Sequence, residues 1–357
     1  MTNEQLFQDA LALLKELIAI PSFSKEEERT ADAITTFLLS KGVNTERVGH
    51  NILARNRYFD PSLPTLLLNS HHDTVKPNKS YTLDPFSPVE KEGKLYGLGS
   101  NDAGGCLVSL IATFLHFYER SDLTYNIVLA ATAEEEISGK NGIELALTQL
   151  PDIHAAIVGE PTKMDLAVAE RGLLVLDCTA YGKSGHAARN EGENALYKAI
   201  QDIRWMSNYV FPRSSEFLGP VKMTVTVIET DNKAHNVVPD TCKFVADVRI
   251  NEQYRFEEVI EEIRAHVQSE IKPRSLRMRS SMIPVEHPLV QAGLALGRSV
   301  YGSPTTSDKA LMPFPALKMG PGDSARSHTA DEFIFVDEIR EGISLYINLL
   351  SKVVTTK

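Results

Sequence analysis

The sequence predicts an α/β protein, a mostly parallel sheet with flanking helices, interrupted by a smaller ferredoxin-like α+β unit. Short, wholly apolar strings recur with helical stretches between them, as in parallel strands buried on both faces. Between residues 172 and 281 the rhythm changes to β-α-β-β-α-β. At 357 residues the chain is too long for one compact core. The expected division is residues 1–171 with 282–357 as one domain and 172–281 as the other.

The amino-terminal stretch MTNEQLFQDALALLKELIAI is amphipathic and carries Asp9, Lys15 and Glu16, so it reads as a helix and not as a signal peptide. Ser24, with Glu27 three residues on, reads as a capping box opening a second helix. Ile34, Phe37 and Leu38 give that helix its stripe, and Gly42 ends it after Lys41. Strands are expected at TLLLN (Thr65 to Asn69), NIVLAAT (Asn126 to Thr132), AAIVG (Ala155 to Gly159) and ALKMG (Ala316 to Gly320). GLGSNDAGG makes a glycine-rich turn before the helix CLVSLIATFLHFY. In the insert, LLVLDCTAYG, VKMTVTVIE, CKFVADVRI and SLRMRSS read as strands. ENALYKAIQDIRWMSNYV and RFEEVIEEIRAHVQSEI read as its helices, and helical character returns at PLVQAGLALGRSVYG.

Hydrophobic residues make up 43% and charged residues 24%, an ordinary globular composition. A net charge of −10 argues against a nucleic-acid partner, which needs a surplus of Lys and Arg against phosphate. The most basic stretch, KPRSLRMRS, reads as one solvated strand face. Cys106, Cys178 and Cys242 form no CxxC pair, so neither a disulfide framework nor a thiolate zinc site is supported. No segment approaches ~20 consecutive apolar residues, so no membrane partner is expected and a cytoplasmic location is the default.

In open α/β sheets, ligands bind outside the carboxyl ends of the strands. After TLLLNS come His71, His72 and Asp73; after NIVLAATA come Glu134, Glu135 and Glu136. After AAIVG comes Glu160, after ALKMG comes PGDSARSH ending in His328, and Asp102 sits in the glycine-rich turn. A glutamate run met alone is a solvated loop or the acidic first turn of a helix, and a lone histidine is a structural residue. Agreement across four strand ends outweighs both readings. So many acids together repel one another and raise each other's pKa values, which a divalent cation relieves. Imidazole with carboxylate is a natural zinc set, and five ligands suggest two ions sharing a bridging carboxylate. Ion pairs ~3.5–4 Å apart serve hydrolases by polarising a carbonyl and making hydroxide from water.

These motifs resemble the zinc-dependent aminoacylase and carboxypeptidase-G-like metallopeptidases along essentially the whole chain. HHDTV matches the family's H-x-D-x-V, GLGSND its G-x-G-x-x-D, and AEEEISG its acidic pair. VGEPT, GKSGHAA, NVVPD and GPGDSARSHTADEF follow in the family's order. The likeness is greatest to the acetylornithine deacetylase, acetyl-lysine deacetylase and succinyl-diaminopimelate desuccinylase branch. It implies a zinc-peptidase-like catalytic fold, with His71, Asp102 and Glu160 on one zinc, Asp102 bridging, and Glu136 with His328 on the second. Cobalt is an expected substitute. Glu135 is the implied general base, and Asp73 the partner that fixes the His71 tautomer. His72 fills the motif's variable position and is left out of the site, while Glu134 supports the turn. The resemblance also implies a homodimer through the insert, with His186 reaching the partner's site as an oxyanion donor. Asn190 stands where the family frequently has Pro. Asn236, Arg249, Arg171 and Thr306 match substrate-binding positions, and TTSDKA departs from a family pattern nearer G-T-S-D-x-R.

The expected function is that of a dizinc amidohydrolase removing an Nα-acetyl or Nα-succinyl group from ornithine or a similar basic amino acid, in arginine biosynthesis. Lys309 and Arg326 are candidate partners for a succinyl carboxylate. The alternatives are a succinyl-diaminopimelate desuccinylase, a dipeptidase, or a non-catalytic metal- or amino-acid-binding relative. The last is disfavoured by Glu135 beside Glu136, because a binder needs no base there.

Overall fold

The computed structural model describes residues 1–189 and 191–355, so Asn190 lies outside the described residues. The chain forms two compact units. The first comprises Met1–Val168, Ile283–Tyr301 and Ser307–Lys357, and the second Ala169–Met282 with Gly302–Thr306. The short segment Gly302–Thr306 therefore leaves the part of the chain in which the sequence reading placed it.

The sheet of the first unit runs Thr45–Val48, Asn51–Arg55, Asn126–Thr132, Thr65–His71, Ala155–Val158, Ala316–Lys318, Leu166–Glu170. Its middle four strands are mutually parallel, with His71 opposite Thr132, Asn69 opposite Val158 and Val158 opposite Lys318. Their carboxyl ends therefore share one edge. Thr65–His71 and Asn126–Thr132 are buried at every position, without alternation, because both faces are covered. Helix Gly105–Phe117 packs on one face and is itself packed by the helices Asn3–Ile18 and Val336–Val354. On the other face Leu67, Val128, Ala130 and Ala156 join Ile143 and Ala146 in a second apolar cluster. Each fully buried leucine contributes roughly 1.5–3 kcal/mol, so these strands make a rigid platform.

The two first helices start differently. Thr2 caps the first helix in a capping box with Gln5, its N–H reaching Gln5 Oε1 at 2.9 Å and its Oγ1 accepting the Gln5 N–H at 3.2 Å. The second helix spans Glu28–Ser40, later than expected, and Ser24 does not cap it. The Ser24 hydroxyl donates to the buried Asp73 carboxylate at 2.6 Å, a charged acceptor that outcompetes a helix end. Gly42 takes φ +75°, as its place after the helix requires.

The second unit carries an antiparallel sheet in the order Lys222–Glu229, Thr241–Ile250, Gly172–Tyr181, Glu270–Pro273. With helices Ala195–Asn208 and Phe256–His266 this is the ferredoxin-like arrangement. Alternating residues Leu174, Leu176, Cys178, Phe244, Ala246 and Val248 face the helices in one core. Its last strand is Glu270–Pro273, not SLRMRSS. Only Ile271 and Met278 of that region are buried, so no alternating pattern marks the strand. Among the described residues no helix is long and apolar enough to cross a membrane.

Candidate metal centre

Each parallel strand delivers polar groups where its apolar run stops. His71 ends its strand and is 1% exposed. Its Nδ1 lies 3.0 Å from the Asp73 backbone carbonyl, which can only accept, so Nδ1 carries a proton. Nε2 is buried without a hydrogen-bond partner. It faces Asp102 Oδ1 at 3.4 Å, Glu160 Oε1 at 3.7 Å and Glu135 Oε2 at 3.9 Å. A buried ring nitrogen looking at three carboxylates across these gaps fits a cation between them.

Beyond Asp102 stands the second imidazole. His328 Nε2 lies 3.6 Å from Asp102 Oδ2 and 3.0 Å from Glu136 Oε2. Asp102 thus turns one oxygen to each histidine. Ligand atoms of His71, Asp102 and Glu136, and again of His71, Glu135 and Glu160, gather within 4.8 Å. The structure therefore brings together His71, Asp102, Glu136, Glu160 and His328, with Glu135 among them.

The charge balance is that of a cation site filled by protons. Burial pushes Glu135 well above the usual carboxylate range against the pull of His71, with Glu160, Asp308 and Glu136 adding to the rise. Burial also carries Glu160 up to about 7, opposed by Lys318 and helped by Asp102. Burial disfavours a charged His71, but Glu135, Asp102 and Asp73 overcome it and raise the imidazole well above its ordinary value. The bond to Glu136 lifts His328 to about 9 despite partial burial. His72, in contrast, is held down to about 4 by burial and donates Nε2–H to the His50 carbonyl at 3.0 Å, a structural role.

Asp73 differs from expectation in one respect. Its backbone carbonyl, not its carboxylate, makes the close contact with His71; Oδ1 stands 3.4 Å from Nδ1. The carboxylate is instead occupied by Ser24 Oγ and by the backbone N–H groups of Glu135 and Glu136. Glu134 does brace its turn: its carboxylate accepts from the Asn141 side chain at 2.8 Å and the Asn141 N–H at 3.2 Å.

Sequence reasoning missed several supports. Glu332, 1% exposed, accepts the N–H groups of Asn101 and Asp102 at 2.8 and 2.9 Å, and burial with the neighbouring Asp102 pushes it to about 8. It lies within the TADEF part of a quoted motif, the only signal that marked it. Asp308, buried and pushed by burial to about 7, accepts from the Thr132 hydroxyl at 2.9 Å. The two proposed succinyl partners are committed elsewhere. Lys309 is 1% exposed and donates to the Ala167 and Val168 carbonyls, and Arg326 donates through Nη2 to both oxygens of Glu338 while its Nη1 is buried.

The other candidates lie in the second unit and fall into two groups. Arg171, 6% exposed, donates to the carbonyls of Pro220, Arg249 and Leu218. Thr306 Oγ1 donates to the Arg171 carbonyl, and Arg249 is held by both oxygens of Asp247 at 2.7 and 3.0 Å. In the second group, His186 is exposed and pairs with Val237, and the Asn236 carbonyl accepts the Ala187 N–H. His186 Nδ1 accepts the Ala188 N–H at 3.2 Å, so the neutral ring carries its proton on Nε2, free to donate.

Comparison with known proteins gives the chain a family and a fold. A curated relative is succinyl-diaminopimelate desuccinylase 2 of Ruegeria sp. (strain TM1040), 26% identical over 276 residues, covering 73% of this chain and 70% of that protein. Among solved structures, aminopeptidase PepT of Bacillus cereus superposes with a TM-score of 0.79 at 18% identity over 99% of both chains. The YXEP protein of Bacillus subtilis, a dinuclear metal-binding peptidase, superposes with a TM-score of 0.73 at 17% identity over 98% of both. At these identities the two structures speak for the shared fold alone, a mixed α/β architecture with a largely parallel central sheet. Residues 67–352 match the profile of peptidase family M20/M25/M40, and the chain belongs to that family of metal-dependent hydrolases.

Proposed function

We propose that the chain is a two-metal amidohydrolase that removes an N-acyl group from a small, carboxylate-bearing amino acid. The observation that carries the reading is Asp102, which offers one oxygen toward His71 and the other toward His328. His71, Asp102 and Glu160 hold one ion, and Asp102, Glu136 and His328 the other. Zinc is the metal the donor set favours, with cobalt as a substitute. Bound there, the ions supply Lewis acidity toward the amide carbonyl and acidify the attacking water. Glu135, ionised when the cations are bound and made more basic by its burial, accepts a proton from that water and returns it to the leaving amine nitrogen. His186 of a second copy donates from Nε2 to the oxygen of the tetrahedral species. Arg249 grips the substrate carboxylate after exchanging Asp247 for it, with Arg171 and Thr306 beside it and Asn236 beside His186.

Succinyl-diaminopimelate is the first substrate to try, because the curated relatives carry that name. Nα-acetyl- and Nα-succinylornithine come second, on the motif likeness alone. The test is kcat/KM with added zinc or cobalt for these three compounds and a dipeptide. An acyl-amino acid at least about tenfold better than the dipeptide supports the reading, and the reverse order makes the enzyme a dipeptidase. Glu135→Gln is expected to keep both metals and to lose about 10²–10⁴-fold in kcat; unchanged turnover removes the base.

A further inference from the structure

Four consecutive backbone N–H groups leave the end of strand Asn126–Thr132 and bond to side chains from distant segments. Ala133 donates to Asn51 Oδ1 at 3.0 Å and Glu134 to Glu27 Oε1 at 3.1 Å. Glu135 donates to Asp73 Oδ1 at 3.0 Å and Glu136 to Asp73 Oδ2 at 3.2 Å. Glu27, Asp73 and Asn51 are each 0% exposed. A turn of three glutamates is thus held, on its backbone side, by two further buried carboxylates.

Such an arrangement is costly unless each charge is fully hydrogen-bonded. Glu27 meets that condition. Oε1 also accepts the Lys25 N–H at 2.6 Å, and Oε2 accepts from His50 Nδ1 at 2.6 Å. The residue it holds, Glu134, sits at φ +55°, a left-handed conformation unfavourable for a side-chain-bearing residue. Glu134 is the pivot of the turn: its direction sets where Glu135 and Glu136 point. Asp73 follows a metal ligand in sequence and was expected to serve it, whereas Glu27 has no bond to any residue of the metal cluster among the hydrogen bonds described.

We infer that Glu27 is a positioning residue for the Glu135–Glu136 pair, acting through the Glu134 N–H. The inference rests on the reading that Glu135 is the base and Glu136 a ligand. Removing the acceptor frees a strained residue beside both, and displacements of an ångström at a reacting group cost of order 10²-fold in rate.

Glu27→Ala is expected to lower kcat by about 10–100-fold with KM changed by less than about threefold. Glu27→Gln keeps Oε1 as an acceptor and can meet His50 through the other ring tautomer, so it is expected to restore kcat to within about threefold. The control is Asp202→Ala in the second unit. Asp202 is likewise a buried carboxylate, accepting the Gln268 and Ser269 N–H groups at 3.1 and 2.9 Å. Its loss is expected to lower Tm and leave kcat unchanged. A second readout needs no activity: hydrogen exchange of residues 133–137 in metal-free protein. Glu27→Ala is expected to speed it by about tenfold or more, and neither Glu27→Gln nor Asp202→Ala to do so. Where Glu27→Ala yields no folded protein, Glu27→Asp carries the same expectation, since it keeps the charge and shortens the reach by a methylene. Wild-type exchange in Glu27→Ala, a Glu27→Gln as impaired as Glu27→Ala, or an equal loss of kcat in Asp202→Ala overturns the inference. If the wild type hydrolyses none of the amides, the functional reading fails, and the exchange measurement still decides whether Glu27 holds the turn.

Discussion

The groups around Asp102, though not Asp102 itself, hold protons when no metal is bound. Glu160 and Asp308 each stand at about 7 against ordinary values of 4.5 and 3.8, and Glu332 at about 8 against 4.5. In the folded metal-free protein these groups keep protons that the unfolded chain gives up above its ordinary carboxylate pKa. Their contribution to stability is therefore present at low pH and lost as pH climbs toward 7–8. His328, at about 9 against 6.5, has the same sign, stabilising below its ordinary value and ceasing to do so through 9. Asp73 and Asp102 are shifted down and matter only when pH falls toward their ordinary range. The Tm of chelator-treated protein is thus expected to fall between about pH 5 and about pH 9, while stabilisation by added zinc grows over the same interval. Thermal scans with and without zinc check this, and a flat metal-free curve would show that the cluster is not held by protons.

At the scale of elements, the turn after Thr132 is the feature on which the site's precision depends. Gly142 closes it: a Cβ there would meet the Ala133 carbonyl oxygen at 2.2 Å, a backbone atom unable to move aside cheaply. Gly142→Ala is expected to cost about 1–3 kcal/mol in urea unfolding and to lower kcat, because the carbonyl it pushes opens the turn. A variant with wild-type stability would mean that the turn yields freely. The strand itself was legible in sequence, as were Thr65–Asn69, which the structure extends to His71, and the acids that follow each, since fully buried parallel strands are short apolar strings that stop where chemistry begins. The supports were not. Ser24 and Glu27 have the spacing of a capping box, and local spacing cannot reveal that Asp73 and the Glu134 N–H, far along the chain, claim them instead. Glu332 and Asn51 likewise show their purpose only through backbone groups brought from elsewhere. The strand Glu270–Pro273 escaped because an edge strand with one buried side chain leaves no alternation to read.

At the scale of the molecule, the second unit leaves Lys222–Glu229 as an edge strand, with Val227 and Ile228 46% and 48% exposed. An apolar, unpaired edge invites a second copy to continue the sheet. If two copies pair through this edge, Val227→Lys with Ile228→Lys turns that dimer into a monomer in sedimentation, and an unchanged mass rejects the edge as the interface. Whether His186 acts across such a dimer is decided by mixing two inactive proteins, His186→Ala and Glu135→Gln, through unfolding and refolding. If the histidine comes from the partner, the His186→Ala subunit of a mixed dimer has its own base and receives His186 from the Glu135→Gln chain. That one site works, and since about half of the dimers are mixed, an equal mixture recovers about a quarter of wild-type activity. If His186 serves its own chain, one subunit of the mixed dimer lacks the donor, the other lacks the base, and no activity returns.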